Sequence, residues 1–325
     1  MAEIIHKLLE LDEPSVRWKV RVNVLGEDAA SPAIRELQDE IRTSPRVKKL
    51  LSERAADGTI PHPPYSKWYG AHWVLAALAD IGYPRGDAAL ASLAEQVCNR
   101  WLNERHVQGV AVIEGKCRRH ASQESNALYA LLTLGLGDER ADRLAENLLK
   151  WQWPDGGWNC DRRPKAVNSS FTESIIGVRA LALYGRLRNS QASLDGARRA
   201  AEIFLKRRLF RRQRDGRVMR SAFVKLHYPC YWHYDVLFGL KVMAEAGMIG
   251  DARCEEALDL LESKRLPDGG FPAEAVYYKT TEKRTKTGRR WSAFSQVDWG
   301  GVSTRRANPW VTADALYVLK AAGRI

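Results

Sequence analysis

The sequence has no uninterrupted apolar run of the roughly 18 residues that a membrane-spanning helix needs. Its N-terminus lacks a basic segment followed by an apolar core, so we expect no signal peptide. Its five cysteines are dispersed and contain no Cys-x-x-Cys pair, a pattern that favours reduced thiols rather than disulfides or a clustered metal centre. Together these absences predict a soluble cytoplasmic protein.

Strand-like alternation is also scarce, and it occurs only at 111–113 and 275–277. Helical periodicity dominates the rest of the 325 residues. Hydrophobic residues make up 45% of the chain and charged residues 28%, which is typical of a globular domain. The formal net charge of +12 suits an anionic partner, whether nucleic acid, lipid headgroup or phosphorylated small molecule.

One motif recurs along the chain, and its fullest copy is Gln-Trp-Pro-Asp-Gly-Gly-Trp at 152–158. A second copy, Pro-Asp-Gly-Gly-Phe, occupies 267–271, and weaker copies occur at 213–216, 57–58 and 114–115. The acidic residues of successive copies are 57, 41, 60 and 53 positions apart. A turn repeated at this period between helices predicts a helical repeat architecture.

Five helical hairpins can be assigned on this period, each with an outer helix, a loop containing the motif, and an inner helix. The inner helices combine small and large apolar residues, which favours burial on more than one side, and each ends near a glycine suited to a left-handed cap. We predict inner helices at 68–81, 122–134, 171–184, 232–246 and 310–322, capped by Gly82, Gly135, Gly185, Gly247 and Gly323. The outer helices, such as 142–150 and 252–263, are more charged.

Residues 1–50 resemble a HEAT-like helical pair and are predicted to cap the first hairpin, leaving 51–325 as the main domain. The basic stretch 272–308 is predicted to be a surface insertion or lid. Within the motif, the aspartate is expected to hold the turn, Gly156 and Gly157 to supply positive φ, and Trp158 to pack across the hairpin.

The motif and its period resemble those of the squalene/oxidosqualene cyclases and of protein prenyltransferase β subunits. The resemblance covers roughly residues 50–323 and implies an all-α, α/α toroid with five to six inner helices. It also implies a central pocket at the N-terminal ends of those helices. We expect isoprenoid chemistry from this resemblance, with acid-initiated cyclisation as one form.

The sequence departs from the motifs that carry chemistry in those families. It has neither the Asp-x-Asp-Asp acid of class II cyclases nor the Asp-x-Cys zinc pair of prenyltransferases. The run 138–142 fits a magnesium motif but follows two glycines, so we interpret it as a helix start. His227, Cys230 and His233 are spaced like metal ligands, but Pro229 interrupts them, and we predict no metal site. The sequence identifies no cofactor.

Aromatic and acidic residues cluster at the predicted N-terminal ends of the inner helices. Aromatic faces beside carboxylates can stabilise cationic intermediates, and a carboxylate in such a cavity can act as an acid, although the same carboxylates could simply cap helices. The candidate catalytic residues are Asp235, Asp314, Glu173 and Glu124. The candidate substrate-binding residues are Trp68, His72, Trp73, Gln123, Asn126, Phe171, Trp232, His233, Tyr234 and Trp310.

Arginines in the loops before these helices would form a basic rim that binds the head of an amphiphilic anion such as a prenyl diphosphate. They include Arg118, Arg119, Arg162 and Arg163, with Arg289, Arg290, Arg305 and Arg306 in the insertion. The predicted partner is therefore a hydrophobic or amphiphilic small molecule. Peripheral membrane contact stays open, and no specific nucleic acid is expected. Two alternatives remain: a non-catalytic module for an anionic partner, and an α/α-barrel enzyme acting on carbohydrate.

Overall fold

A computed structural model describes residues 2–281, 283–288 and 290–325. Arg289, one of the predicted rim arginines, lies outside these residues. The helices in the described ranges are α1 Ala2–Leu9, α2 Pro14–Trp18, α3 Pro32–Thr43, α4 Pro45–Leu50, α5 Ala71–Asp80, α6 Ala91–Trp101, α7 Glu104–Gln108, α8 Ala121–Thr133, α9 Glu139–Trp151, α10 Phe171–Leu187, α11 Gln191–Leu205, α12 Val236–Glu245, α13 Glu255–Glu262 and α14 Pro309–Ala321. A π-helical turn, Lys19–Val24, continues α2.

Five of these helices form consecutive members of an inner ring, in the order α5, α8, α10, α12 and α14. The π-helical turn after α2 packs against α14, and its Lys19 side chain pairs with Asp80 at the end of α5, so it closes the ring as the sixth member. An outer layer of α3, α6, α9, α11 and α13 packs against α2, α5, α8, α10 and α12, respectively. The protein is therefore an all-α toroid, as predicted from the sequence.

The N-terminal segment that we predicted as a cap thus supplies the sixth inner element. Gly82, at φ +79°, lies directly beneath the Trp18 ring, where an added Cβ would stand 2.3 Å from the indole. Lys320 near the end of α14 donates a hydrogen bond to the carbonyl of Val24. These two contacts attach the first inner element to the second and to the last.

The predicted motif at 152–158 forms the turn that leads from α9 towards α10. Gly156 has a φ of +102°, and Trp158 is fully buried, with its indole N–H donating to the carbonyl of Leu148. The predicted packing of Trp158 is confirmed, and Gly177 provides the space for its ring. Asp155 accepts from the backbone and hydroxyl of Ser169, so it fastens the following loop rather than the turn.

Four of the five predicted glycine caps, Gly82, Gly135, Gly247 and Gly323, have positive φ and follow their helices. The prediction for Gly185 is wrong, because α10 continues to Leu187. Asn189 takes the left-handed conformation there, at φ +53°. A Cβ added at Gly185 would lie only 2.7 Å from the Leu194 side chain, so the glycine allows α10 and α11 to pack closely.

The other local predictions, of two strands and a helix start, are met to different degrees. The strand at 111–113 is confirmed and pairs antiparallel with Lys116–Arg118, whereas 275–277 makes only a single bridge, between Ala275 and His227. Asp138 caps the start of α9 by accepting from the backbone of Arg140, which confirms a helix start at 138–142. Within the described ranges, every helix is too short or too polar to cross a bilayer.

Candidate functional site

The N-terminal end of the ring, where we predicted a pocket, is filled by aromatic side chains. Trp68 stacks on Tyr231 at a centroid distance of 3.9 Å and meets Trp73 edge-on at 4.5 Å. Its indole N–H donates to the carbonyl of Tyr277, which belongs to the 272–308 insertion. The insertion also buries Trp299 against this end, and the cavity that remains has a volume of about 40 Å³.

Other predicted aromatic residues pack into separate clusters around this end. His233 stacks between Trp232 and Tyr277, at 4.1 and 3.8 Å, and burial lowers its pKa to about 3. Phe171 and Tyr234 pack together 5.0 Å apart. Their roles as ligand-binding residues stay predictions.

The last predicted binding residues are held by neighbours in the fold. Trp310 stacks on Tyr228 at 5.1 Å, and Asn126 donates to the carbonyl of Tyr231. His72 is buried, which lowers its pKa to about 3, and its Nδ1 accepts from the indole of Trp101. Gln123 lies in the first turn of α8.

Asp235 and Asp314, the predicted acids, have both carboxylate oxygens engaged. In Asp235, at the start of α12, Oδ1 accepts from the backbone of Phe238, and Oδ2 accepts from the backbone of His227 and lies 2.6 Å from its Nδ1. Asp314 Oδ1 and Oδ2 each lie 2.9 Å from a lysine Nζ, of Lys19 and Lys241. All four oxygens therefore already have a hydrogen-bond or ion-pair partner within the fold.

Glu124 and Glu173 lie in the first turns of α8 and α10. Glu124 is completely buried, and its Oε1 pairs with Arg119 and with His106, while its Oε2 has no partner among the described residues. Glu173 pairs with His120 at 3.0 Å and accepts two hydrogen bonds from Ser122. His120, Cys160 and Glu173 bring metal-ligating atoms within 4.8 Å of one another.

The predicted rim arginines differ in their exposure. Arg118 is buried and donates to the carbonyls of Ala166 and Ile113, so it fastens two loops rather than facing solvent. Arg119 forms an ion pair with the buried Glu124. Arg162 and Arg163 are exposed, and Arg163 pairs with Asp161.

A closed set of ion pairs occupies the middle of the toroid and was not predicted from the sequence. Asp80 and Asp314 each bridge the same two ammonium groups, of Lys19 and Lys241, at 2.9–3.0 Å. Arg179 extends the set, with Asp80 at 3.6 Å and Glu245 at 2.5 Å. We call Lys19, Asp80, Arg179, Lys241, Glu245 and Asp314 the central charge network.

The network joins every member of the inner ring. Its residues come from the π-helical turn, α5, α10, α12 and α14, and the Arg179 guanidinium lies 3.7 Å from the centre of the Tyr129 ring on α8. Burial alone would raise the pKa of Asp80, but Lys19, Lys241 and Arg179 hold it well below its usual range. Burial would likewise lower the pKa of Lys241, but Asp314 and Asp80 hold it well above. Asp80 and Lys241 are therefore both ionised at neutral pH.

These shifts predict how stability depends on pH. The contribution of Asp80 is fully present above its ordinary pKa of 3.8 and is lost as the pH falls through its lower folded-state pKa. That of Lys241 is fully present below its ordinary value of 10.5 and is lost as the pH rises through its higher one. Urea unfolding should show a free energy that falls below about pH 4, and Asp80→Asn should reduce the slope there. If the free energy of unfolding of Asp80→Asn falls as steeply at acid pH as that of the unaltered protein, the role of Asp80 is contradicted.

The larger opening in the ring lies on the opposite side of the network from the predicted pocket, at the C-terminal ends of the inner helices. A cavity of about 330 Å³ is lined there by residues of all six inner elements. Its charged lining consists of Lys19, Arg85, Arg179, Arg186 and Lys241 against Asp80 and Glu245. Arg85 and Arg186 are exposed and have no ion-pair partner among the described residues, so the cavity carries unpaired positive charge.

A second cavity of about 700 Å³ adjoins the first and shares Trp18, Ala79, Arg85 and Thr133 with it. Its lining is mostly apolar and includes Val22, Ala30 and Pro84. The C-terminal face therefore places an apolar groove beside a cationic cavity, with Arg85 at their junction. We call the two together the C-terminal site.

Sequence reasoning missed Asp80, Arg179 and Lys241 because they lie in apolar inner helices. The signal was present, since Asp80, Arg179 and Lys241 each interrupt a run of apolar residues in a helix predicted to be buried. A buried ionisable residue needs a partner. Such interruptions on three predicted inner helices could have indicated ion pairing across the ring.

Comparison with known proteins shows a weak structural similarity. No protein-family model matches the sequence, and no curated protein matches it. Among solved structures, the chain is similar to a type II terpene cyclase variant from Scytonema in complex with its substrate, geranylgeranyl dihydroxybenzoate. The identity is 14% and the TM-score 0.28, over 96% of this chain and 99% of that one. So low a TM-score carries no weight, and the toroid is established by the closed ring of helices.

Proposed function

We propose that the protein binds an amphiphilic anion of the prenyl diphosphate type at the C-terminal site. The observation that carries this proposal is the pair of exposed arginines, Arg85 and Arg186, that line the cavity without carboxylate partners among the described residues. Guanidinium groups bind phosphate oxygens through paired hydrogen bonds. The neighbouring groove offers an apolar surface for the tail.

The isoprenoid character of the ligand is supported by the resemblance of the repeated motif to that of terpenoid cyclases and prenyltransferases. The site itself supports binding better than acid catalysis, because the oxygens of Asp235 and Asp314 are engaged by other groups. Proton donation by either residue stays a prediction. We therefore propose that the ligand binds at the C-terminal face, where residues of the central charge network line the cavity.

Titration calorimetry with farnesyl diphosphate, pyrophosphate and farnesol tests this proposal. We expect farnesyl diphosphate to bind at least tenfold more tightly than pyrophosphate, because burial of the tail adds roughly 0.8 kcal/mol per methylene group. Arg85→Gln and Arg186→Gln should each raise the Kd by at least about tenfold, since a hydrogen bond to a charged group contributes roughly 1.5–3 kcal/mol.

Arg162→Gln is the matched control, because Arg162 is an exposed arginine of the predicted N-terminal rim. It should leave the Kd unchanged. If Arg162→Gln weakens binding and the other two variants do not, the ligand binds at the N-terminal rim and the proposed site is wrong. Equal affinity for pyrophosphate and farnesyl diphosphate would show that the apolar groove does not bind the tail. Binding of duplex DNA, with an affinity that falls steeply with salt, would favour the anionic-partner alternative.

A further inference from the structure

A second group of chemically reactive side chains lies at the other end of the toroid. His120 immediately precedes α8, Cys160 lies in the loop after Trp158, and Glu173 is in the first turn of α10. One donor atom from each residue lies within 4.8 Å of the other two. Three different segments of the chain therefore deliver an imidazole nitrogen, a sulfur and a carboxylate oxygen to one point.

The backbone around this point is well fixed. Glu173 is buried, and its Oε2 accepts from the backbone N–H of Ser122 at 3.1 Å and from its hydroxyl at 2.8 Å. The backbone of Arg119 donates to the carbonyl of Asn159, which joins the segment before α8 to the loop that carries Cys160. The carboxylate thus has outer partners of the kind that orient metal ligands.

The donors differ in their access to solvent. The Glu173 side chain is 9% exposed, whereas that of His120 is 60% exposed and Cys160 is intermediate. An ion held between them would keep one side open to water. Three protein ligands and one exchangeable position are typical of a catalytic or ligand-binding zinc site, whereas structural zinc sites have four protein ligands.

The chemistry of the donor set selects the metal. A thiolate and an imidazole favour zinc over magnesium or calcium, and a thiolate with a carboxylate would balance the charge of a divalent ion. Zinc bonds of about 2.0–2.3 Å place the ligands of a tetrahedral site roughly 3.3–3.8 Å apart. The donor atoms all lie within 4.8 Å of one another, and the exposed His120 ring can rotate to bring its nitrogen to that spacing.

We propose that His120, Cys160 and Glu173 bind one zinc ion, with a water molecule in the fourth position that an anionic oxygen or thiolate ligand can replace. The residues lie outside any Asp-x-Cys pair and outside the His227 to His233 run. The site is independent of the C-terminal site, so neither proposal depends on the other.

Cobalt substitution provides a direct test on the chelator-treated protein. We expect Co²⁺ to bind with one-to-one stoichiometry and to produce a thiolate-to-cobalt charge-transfer band that zinc abolishes by displacement. His120→Ala, Cys160→Ser and Glu173→Gln should each raise the Kd for zinc by about 100-fold or more, since even loss of an outer partner costs 10- to 100-fold. Cys160→Ser should also remove the band.

Cys117→Ser is the matched control, because Cys117 is another partly exposed thiol and has no place in the cluster. It should retain both the band and the affinity. Circular dichroism and thermal melting of each variant separate loss of binding from loss of folding, and His120→Ala, which alters an exposed residue, is the variant expected to fold unchanged.

Alkylation of Cys160 by iodoacetamide, followed by mass spectrometry, distinguishes a zinc ligand from a free nucleophile. Zinc should protect Cys160 by at least tenfold in rate and leave Cys117 unaffected. No charge-transfer band, an unchanged Kd in Cys160→Ser, or rapid alkylation of Cys160 in the presence of zinc would each overturn the proposal.

Discussion

Replacing Lys241 by methionine is expected to lower the free energy of unfolding by about 3–5 kcal/mol. The Lys241 side chain is 6% exposed and lies between Asp80 and Asp314. Without it, Lys19 and Arg179 are left with three carboxylates, those of Asp80, Glu245 and Asp314, so one buried negative charge is not balanced. Equilibrium denaturation in urea measures the loss, provided that the transition is two-state.

A double variant shows whether charge balance is the cause. Lys241→Met combined with Asp314→Asn removes one charge of each sign and leaves Lys19 paired with Asp80. The double variant should lose less stability than the sum of the two single variants, because they belong to one network. Lys206→Met, on a lysine that is 58% exposed and 3.9 Å from Glu202, is the control and should change stability by no more than about 0.5 kcal/mol. Similar small losses for Lys241→Met and Lys206→Met would show that the network contributes little.

Replacing Trp158 by alanine is expected to cost about 3–5 kcal/mol, the usual range for truncating a buried tryptophan. Its ring fills the space above Gly177, and its indole N–H bonds the carbonyl of Leu148, so truncation leaves both a cavity and an unpaired carbonyl. Thermal and urea unfolding should agree on the loss.

Trp291→Ala is the corresponding control, because Trp291 is 44% exposed and lies in the insertion. It should change stability by about 0.5 kcal/mol or less. The motif would lose its structural role if the two tryptophan variants proved equally stable. This comparison separates the packing of the repeated turn from the general effect of deleting an indole.

The fold was predictable because its repeating unit has a local signal. Glycines after helices, small residues along inner helices and a buried tryptophan at a fixed place in the turn each follow from short-range geometry. The limits of α10 were misjudged because Gly185 resembles a cap in sequence, whereas its use is to admit Leu194 of a neighbouring helix. That contact depends on tertiary packing, which the local pattern does not contain.

The site was harder to predict, for a different reason. The sequence predicts aromatic residues near the N-terminal ends of the inner helices, but whether they line a cavity or fill it depends on the insertion. Trp299 and the carbonyl of Tyr277, both from that segment, complete the filling. The ion pair of Lys19 with Asp314 joins residues 295 positions apart, and no sequence period links them.

That same ion pair has a consequence for synthesis of the chain. Asp314 leaves the ribosome 295 residues after Lys19. Until α14 emerges, the ring has a gap and one of the carboxylate partners of Lys19 does not yet exist. The ring can therefore close only after α14 has been synthesised, and until then the π-helical turn that carries Lys19 lacks its neighbour in the ring.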